Sequence, residues 1–263
     1  MDEKTLRASL RDLHLGELRF FPTVSSTNDE ALAWATQGAP DLSVILADEQ
    51  TAGRGREGRK WFTPPDSALA FSLLLRPTTE EGPYLTRVVG LAALAVAEAL
   101  RGYSLAVEIK WPNDVMIAGR KAAGILVESV WNGETVDCTV IGIGLNVSRS
   151  AVPPQKTLIF PATSIEEQLG ESSVPAREII LHDILQRLLA NRPRLTTDDL
   201  IVDWEESLAY LGRKVQVFGR EGEEPLTGEL SGLASDGSLL LIGKRGKHIT
   251  VRFGDVRLRL VEG

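Results

Sequence analysis

Residues 53–61 decide which nucleotide-binding folds are open to this chain, and they read Gly53-Arg54-Gly55-Arg56-Glu57-Gly58-Arg59-Lys60-Trp61. The first six match G-x-G-x-x-G by letter, but a dinucleotide-binding fold requires a helix directly afterwards. Pro64 and Pro65 follow instead, and adjacent prolines do not fit a helix at that point. A Walker A loop requires Lys-Ser or Lys-Thr after its last glycine, where this chain has Arg59-Lys60. The stretch therefore predicts a Gly/Arg-rich loop in neither of these folds.

The loop carries the cations Arg54, Arg56, Arg59 and Lys60. Its glycines leave the backbone free to fold over a ligand, and arginine offers a planar fork that matches carboxylate and phosphate. A solvated basic turn is the alternative, because most charged runs face solvent. The loop alone does not decide between these two interpretations.

Hydrophobic patterns on either side of the loop predict alternating strands and helices. We expect strands over residues 18–22, 43–47, 69–75, 106–110, 126–131 and 135–143, the last two joined by the hairpin pair Asn132-Gly133. We expect helices opening at Ser26 or Thr27 with a capping box to Glu30, and over residues 84–100, 165–169, 176–191 and 199–210. This mixture predicts an α+β domain.

The pattern changes after Leu211-Gly212. Five short apolar runs separated by glycine turns cover residues 215–218, 226–230, 238–242, 247–252 and 256–261. About fifty residues of five short strands are typical of a small β-barrel, and we predict an SH3-like one. The expected domains are residues 1–211 and 212–263.

Composition limits the classes of function. The net charge is −7, so the surface as a whole does not attract nucleic acid, and any anion site is local. The single cysteine, Cys138, allows no intrachain disulfide and lies in a predicted strand, which favours a buried thiol. The three histidines are scattered and predict no metal site. With no targeting segment, and an apolar run of only ten residues at 88–97, we expect a soluble cytoplasmic protein.

Three further polar clusters lie at predicted strand ends. They are Lys110-Trp111-Pro112-Asn113-Asp114, Lys121 before the small run Ala122-Ala123-Gly124, and Gly142-Ile143-Gly144-Leu145-Asn146. A turn, a surface lysine and a bulged strand are the respective structural alternatives. Together the clusters supply cations, amides and glycines without a Ser–His pair or paired carboxylates. Such a set suits binding and activating an anion rather than hydrolysis.

The Gly/Arg loop, these three clusters and Ser26-Thr27-Asn28 resemble the biotin–protein ligase family in order and spacing, from about Leu18 to the end of the chain. The resemblance implies a mixed-sheet catalytic domain like that of class II synthetases. It places Ser26, Thr27, Asn28, Gln50, Arg54, Gly55, Arg56 and Lys121 around biotin. It places Lys110, Asn113, Asn146 and Arg259 around the nucleotide, with Lys121, Arg56 and Lys110 as the catalytic cations.

The resemblance further implies ATP, biotin and Mg²⁺ as reactants and cofactor, biotinyl-AMP as intermediate, and a biotin carboxyl carrier protein as acceptor, with no protein metal ligands. It leaves monomer or homodimer open. Two other functions compete with this one. A lipoate–protein ligase would use the same adenylate chemistry, and a biotin sensor would bind DNA. Only about seventeen residues precede the first predicted strand, too few for a DNA-binding winged helix, so we expect no nucleic-acid or membrane partner.

Overall fold

A seven-stranded mixed sheet forms the larger part of the computed structural model, which describes residues 1–154, 156, 158, 160–219, 224–252 and the backbone of 257–260. Its strands are β1 Leu18–Val24, β2 Val44–Gln50, β3 Ala68–Leu75, β4 Val107–Lys110, β5 Asp114–Ile117, β6 Arg120–Asn132 and β7 Thr135–Asn146. Their order is β1-β2-β3-β7-β6-β5-β4, with β1 parallel to β2 and the other neighbours antiparallel. The predicted α+β class is confirmed.

Helices cover the two faces of this sheet unequally. They are α1 Glu3–Ser9, α2 Thr27–Thr36, α3 Val88–Arg101, α4 Ile165–Leu169, α5 Arg177–Asn191 and α6 Asp199–Glu206. The larger core lies between one sheet face and α3, α5 and α6. On the opposite face, α2 packs a small cluster that includes Trp34, Ile45 and the buried Cys138, and burial raises the pKa of that thiol. The rest of this second face is left for the site described below.

The start of α2 differs from the predicted capping box. Ser26 is the N-cap, and its side chain accepts from the Asp29 amide at 3.4 Å. Thr27 is the first helical residue, and its hydroxyl contacts Gln50 and Ser72 instead. The hydroxyl of Thr27 is therefore turned toward the sheet rather than used for capping.

Other boundaries depart from the sequence-based prediction where tertiary contacts outweigh local pattern. Helix α1 and strand β5 were not predicted, and α6 ends at Glu206 rather than Tyr210. Strand β6 begins at Arg120, so the small run after Lys121 lies inside the strand and not before it. The pairs that β6 makes with β5 and β7 fix this small-residue run in the sheet.

Five short strands form a second, antiparallel sheet in the order β11-β10-β9-β8-β12. They are β8 Lys214–Phe218, β9 Leu226–Leu233, β10 Leu239–Ile242, β11 His248–Val251 and β12 Arg257–Leu260. All five predicted strands are present. The exact domain boundary at residue 211 stays a prediction.

The turn between β9 and β10 contacts the larger sheet. The Trp111 indole N–H donates to the Gly237 carbonyl at 3.0 Å, and Trp111 is 1% exposed. The buried guanidinium of Arg87 donates to the Ser235 carbonyl at 2.6 Å. Because these donors are buried, their acceptors on the turn hold the second sheet against the β4–β5 turn.

The apolar segment Gly82–Arg101 comprises a 3₁₀ turn followed by α3, and by length and composition alone it could cross a membrane. Most of it is buried inside the protein, where α3 packs on α5, α6 and the sheet. Burial on several sides explains its nearly uniform apolar character.

We predict that Gly90→Ala destabilises the protein. A Cβ on Gly90 would lie 2.1 Å from Cε3 of Trp204, a fully buried side chain of α6. Overpacking of this kind costs about 1–3 kcal/mol, which exceeds the helix-propensity gain of at most about 1 kcal/mol. Thermal unfolding should show a lower midpoint for Gly90→Ala than for Gly82→Ala, since nothing lies within 4 Å of a Cβ on Gly82. Equal midpoints would contradict this account of the α3–α6 packing.

Candidate active site

A cavity of about 440 Å³ opens on the second face of the large sheet. Eleven side chains or glycines predicted for the site line this one cavity: Ser26, Thr27, Asn28, Gln50, Arg54, Gly55, Arg56, Lys110, Asn113, Lys121 and Asn146. They come from the α2 N-terminus, the end of β2, the Gly/Arg loop, the end of β4 with the β4–β5 turn, and strands β6 and β7. The fold thus brings together segments that are more than a hundred residues apart.

Glycines leave the floor of the cavity without side chains. Gly124 of β6 and Gly144 of β7 are directly paired, and Gly142 lies two residues away on the same face. A Cβ on Gly144 would lie 2.3 Å from the Trp61 ring, and one on Gly142 would lie 2.1 Å from Asn28 Oδ1. Any larger residue here would displace Trp61 or Asn28, so the glycines are required by close approach.

Uncharged polar groups line the end of the cavity beside α2. Gln50 Oε1 accepts from the Thr27 amide at 2.8 Å, and Ser72 Oγ donates to Asn28 Oδ1 at 2.6 Å. Asn28 Nδ2 donates to Glu128 Oε2 at 2.7 Å. Ser26, Thr27 and Asn28 are almost fully buried, so their hydrogen bonds are made to fixed partners. This end can recognise a neutral group with its own donors and acceptors.

Ion pairs of Arg54 anchor the Gly/Arg loop to the rest of the site. Its guanidinium pairs with Glu128 at 2.9 Å and with Asp29 at 2.6 Å. Burial lowers the pKa of this guanidinium, but its hydrogen bonds and ion pairs with Glu128 and Asp29 together outweigh burial, and the pKa lies above its usual value. The loop also forms a narrow hairpin, with Arg54 bridged to Lys60 and the Trp61 amide donating to Gly53. The Arg54 side chain therefore joins the Gly/Arg loop to the segments that carry Asp29 and Glu128.

A β-bulge sets the direction of Lys121. Ala123 pairs with Val115 and Lys121 with Met116, so Ala122 is extra in the ladder. Strict alternation would put Lys121 and Gly124 on opposite faces, but Lys121 Nζ lies only 3.2 Å from where a Cβ on Gly124 would be. The bulge thus turns the lysine into the cavity, as bulges commonly re-aim a side chain.

Asp114 holds the Lys121 ammonium at 2.5 Å. Both side chains are partly buried, and Lys121 Nζ also lies 5.5 Å from the centre of the Trp61 ring. Asp114 therefore neutralises the lysine at the point where the polar end of the cavity meets its cationic end.

Two further cations, Arg56 and Lys110, lie at the β4–β5 turn. Arg56 Nη1 donates to Asn113 Oδ1 at 3.1 Å, and Asn113 Nδ2 donates to the Ile125 carbonyl at 2.8 Å. The Lys110 ammonium lies 3.8 Å from the centre of the Phe160 ring. These contacts keep two positive groups and one amide at the same end of the cavity.

Two residues predicted to face the nucleotide stand apart from this group. Asn146 is buried at the end of β7 and donates to the Thr163 carbonyl at 3.0 Å. Arg259 lies in β12, opposite Gln216, and its side chain is outside the described part of the structure. Its predicted reach over the adenylate stays a prediction.

Sequence reasoning missed several residues that build the cavity. The loop sequence indicates no role for Trp61. In the structure its ring covers Gly144, and its indole nitrogen has no hydrogen-bond partner among the described residues. Leu158 and Phe160 line the opening but lie in a segment with no readable pattern. The sequence analysis assigned no role to Glu128 and Asp29, which pair with Arg54. A cation such as Arg54 often pairs with a carboxylate, but the sequence alone does not show which carboxylates lie beside it.

Charge divides the cavity into two ends. Six cations line it among the described residues, namely Arg54, Arg56, Arg59, Lys60, Lys110 and Lys121, against the single carboxylate Asp114. This local excess of positive charge occurs in a chain of net charge −7. In the described residues no group of three or more His, Cys, Asp or Glu could hold a metal ion. The arrangement can bind a ligand with a neutral polar head and an anionic tail.

Comparison with known proteins gives the same assignment. A sequence model of the biotin/lipoate A/B protein ligase family matches residues 20–146. The bifunctional ligase/repressor BirA of Bacillus spizizenii is 31% identical over 251 residues, which cover 94% of this chain and 76% of that protein. A biotin–[acetyl-CoA-carboxylase] ligase of Paracoccus denitrificans is 34% identical, over 85% of this chain and 93% of that protein.

Solved structures extend the match over nearly the whole chain. A biotin protein ligase from Aquifex aeolicus, in complex with biotin and ATP, superposes with a TM-score of 0.79 at 30% identity. The match covers 93% of this chain and 99% of that one. Family, fold and cavity residues therefore agree, and this chain belongs to the biotin–protein ligases of the biotin/lipoate A/B protein ligase family.

Proposed function

We propose that this protein is an ATP-dependent biotin–protein ligase, which forms biotinyl-AMP and transfers biotin to a lysine of a biotin carboxyl carrier protein. The observation that carries the proposal is the cavity lining, with neutral hydrogen-bonding groups beside α2, Lys110 and Arg56 at the β4–β5 turn, and six cations in all. Biotin has a neutral ureido ring and a carboxylate tail, and ATP brings further negative charge. The polar end fits the ring, and the cationic end fits the reacting anions.

The first half-reaction joins two anions. A biotin carboxylate oxygen attacks the α-phosphorus of ATP, a P–O bond forms, and pyrophosphate leaves. Lys121 stands where the two ends of the cavity meet, so it faces both the carboxylate and the α-phosphate. Lys110 and Arg56 lie at the cationic end, beside Asn113. Fixed cations of this kind lower the barrier by positioning the reactants and stabilising developing charge.

Asp114 prepares Lys121 for this role. The Asp114 carboxylate lies 2.5 Å from the Lys121 ammonium and holds it directed into the cavity. An incoming carboxylate or phosphate can share the ammonium, because lysine has three donor hydrogens. The lysine therefore needs little reorganisation when the substrates bind.

Magnesium enters this scheme with the nucleotide. The described residues form no cluster of His, Cys, Asp and Glu that would cage a cation, and Asp114 is already paired with Lys121. Mg²⁺ usually keeps several waters and is carried by substrate phosphates. Mg²⁺ would therefore be held by the substrate phosphates, where it would shield their negative charge.

The second half-reaction transfers biotin to the carrier. The acceptor amine attacks the carbonyl carbon of the mixed anhydride, the C–O bond to phosphate breaks, and AMP leaves. Two relatives named biotin–[acetyl-CoA-carboxylase] ligase support a carboxyl carrier protein as the acceptor. We further propose that residues 1–211 perform the chemistry and that the protein does not bind DNA specifically.

The proposed function predicts biotinylation of a carrier lysine that requires both ATP and Mg²⁺. The purified protein would be incubated with biotin, MgATP and a biotin carboxyl carrier fragment, and the product read by avidin blot. A carrier whose target lysine is replaced by arginine is the control. Absence of signal with a carrier that a known ligase does modify would overturn the proposed function.

We predict that Lys121→Ala slows adenylate formation by about 10²- to 10³-fold, the usual effect of removing one fixed donor to a developing charge. Pyrophosphate release with biotin and ATP measures this step without the carrier. Arg120→Ala is the matched control, because Arg120 is the neighbouring cation and pairs with Glu167 at 2.5 Å, outside the cavity lining. Normal release by a folded Lys121→Ala protein would make Lys121 a structural lysine only.

We predict that Arg56→Gly releases biotinyl-AMP prematurely. If Arg56 grips the adenylate through a charge-assisted hydrogen bond of about 1.5–3 kcal/mol, its loss raises the off-rate roughly 10- to 150-fold. Synthesis should suffer less, because Lys121 and Lys110 remain. The released anhydride would acylate lysines of serum albumin, as an avidin blot would detect. Arg59→Gly removes the same charge from the same loop, so equal labelling by both variants would exclude a specific grip by Arg56.

A further inference from the structure

We propose that Glu128 is a positioning residue that fixes the amide orientation of Asn28 and thereby makes the polar end of the cavity select a ligand N–H. The inference rests on the proposed function for the identity of the ligand. It assigns a role to a carboxylate that is not among the residues lining the cavity. The residue acts through Asn28 and, separately, through Arg54.

The amide of Asn28 has two possible orientations, and its neighbours distinguish them. Nδ2 lies 2.7 Å from Glu128 Oε2 and 3.4 Å from the Leu126 carbonyl, and both of these partners only accept hydrogen bonds. Ser72 Oγ, 2.6 Å from Asn28 Oδ1, is indifferent, because a hydroxyl can donate or accept. Flipping the amide would bring Oδ1 against the Glu128 carboxylate. The Leu126 carbonyl also opposes the flip, but the Glu128 carboxylate is closer and charged, so it contributes most to the orientation.

This orientation determines what the pocket offers. Both N–H bonds of Asn28 are used by Glu128 and Leu126, whereas Oδ1 accepts one bond from Ser72 and keeps a second lone pair. Asn28 lines the cavity and lies flat on Gly142, so the amide has no room to move away. The remaining capacity is an acceptor, which fits a ring N–H and repels a ring oxygen. A ureido ring supplies such an N–H.

Glu128 also contacts Arg54, and the effect of this contact must be distinguished from that of the contact with Asn28. Its two oxygens receive the Arg54 guanidinium at 3.0 and 2.9 Å, so it also anchors the Gly/Arg loop. Loss of the anchor should weaken every ligand that the loop covers. Loss of the amide orientation should change only the preference for N–H over oxygen. The ratio of two affinities therefore isolates the role proposed here.

The test compares the dissociation constants of biotin and of its two cyclic carbamates, in which one ring N–H is replaced by oxygen, by calorimetry without ATP. The more weakly bound carbamate gives the ratio used. Wild type should prefer biotin by about 10- to 100-fold. The side chain in Glu128→Met offers no acceptor to Asn28. The ratio of dissociation constants should therefore fall about tenfold, which is the effect expected from losing one hydrogen bond.

Two further variants complete the test. Glu128→Gln keeps an amide oxygen that can accept from Asn28, so it should restore the ratio even though its pairing with Arg54 is lost. Arg54→Met removes the loop anchor and leaves Glu128, so it should weaken both ligands and keep the ratio. An unchanged ratio in Glu128→Met, or an equal fall in Arg54→Met, would overturn the inference.

A measurement on the wild type needs no variant. With ¹⁵N labelling, the Asn28 side-chain amide should show protons shifted downfield and slow to exchange, since one of them is bonded to a carboxylate. Ordinary shifts and fast exchange would also overturn the inference. A wild type that transfers biotin without preferring it to either carbamate would do the same while leaving the proposed function intact. Failure of biotin transfer itself would count against the proposed function.

Discussion

The close approach of side chains to a bare patch of backbone is the constraint on which the site depends. Gly124, Gly142 and Gly144 present no Cβ, so the Trp61 ring and the Asn28 amide lie directly on the sheet. The patch needs central strands to support it, because an edge strand without side chains would be poorly packed. Strands β6 and β7 lie in the interior of the seven-stranded order, and their opposite face is filled by the main core. A rigid floor for the ligand thus follows from burying the other side of the same strands.

Cations that line the site form ion pairs with carboxylates. Lys121 is paired with Asp114, and Arg54 with Asp29 and Glu128. Unpaired cations in a partly buried cavity would repel one another and lose hydration. The carboxylates reduce that penalty, while the cavity lining itself stays strongly positive. The site therefore remains attractive to anions.

Local patterns predicted most of the elements. The hairpin at Asn132-Gly133, the apolar strand β3 and the helices α3 and α5 carry strong period and turn signals, and the structure contains them. The motif residues also converge, because strand ends meet at one face of the sheet. Three features were beyond the sequence. The bulge at Ala122 depends on pairing with β5, the short β5 is too brief for a period, and the partners of Arg54 depend on segments far apart in the chain.

The contact between the β9–β10 turn and Trp111 has a consequence for shortening the enzyme. Gly237 and Ser235 supply backbone acceptors to Trp111 and Arg87. The second sheet is covalently linked to the larger one, and it contacts the β4–β5 turn between Lys110 and Asn113. A compact labelling tool made from the larger sheet alone would lose those acceptors at two buried donors, each worth about 1–3 kcal/mol. Such a tool would need replacement acceptors before its cavity could keep the same shape.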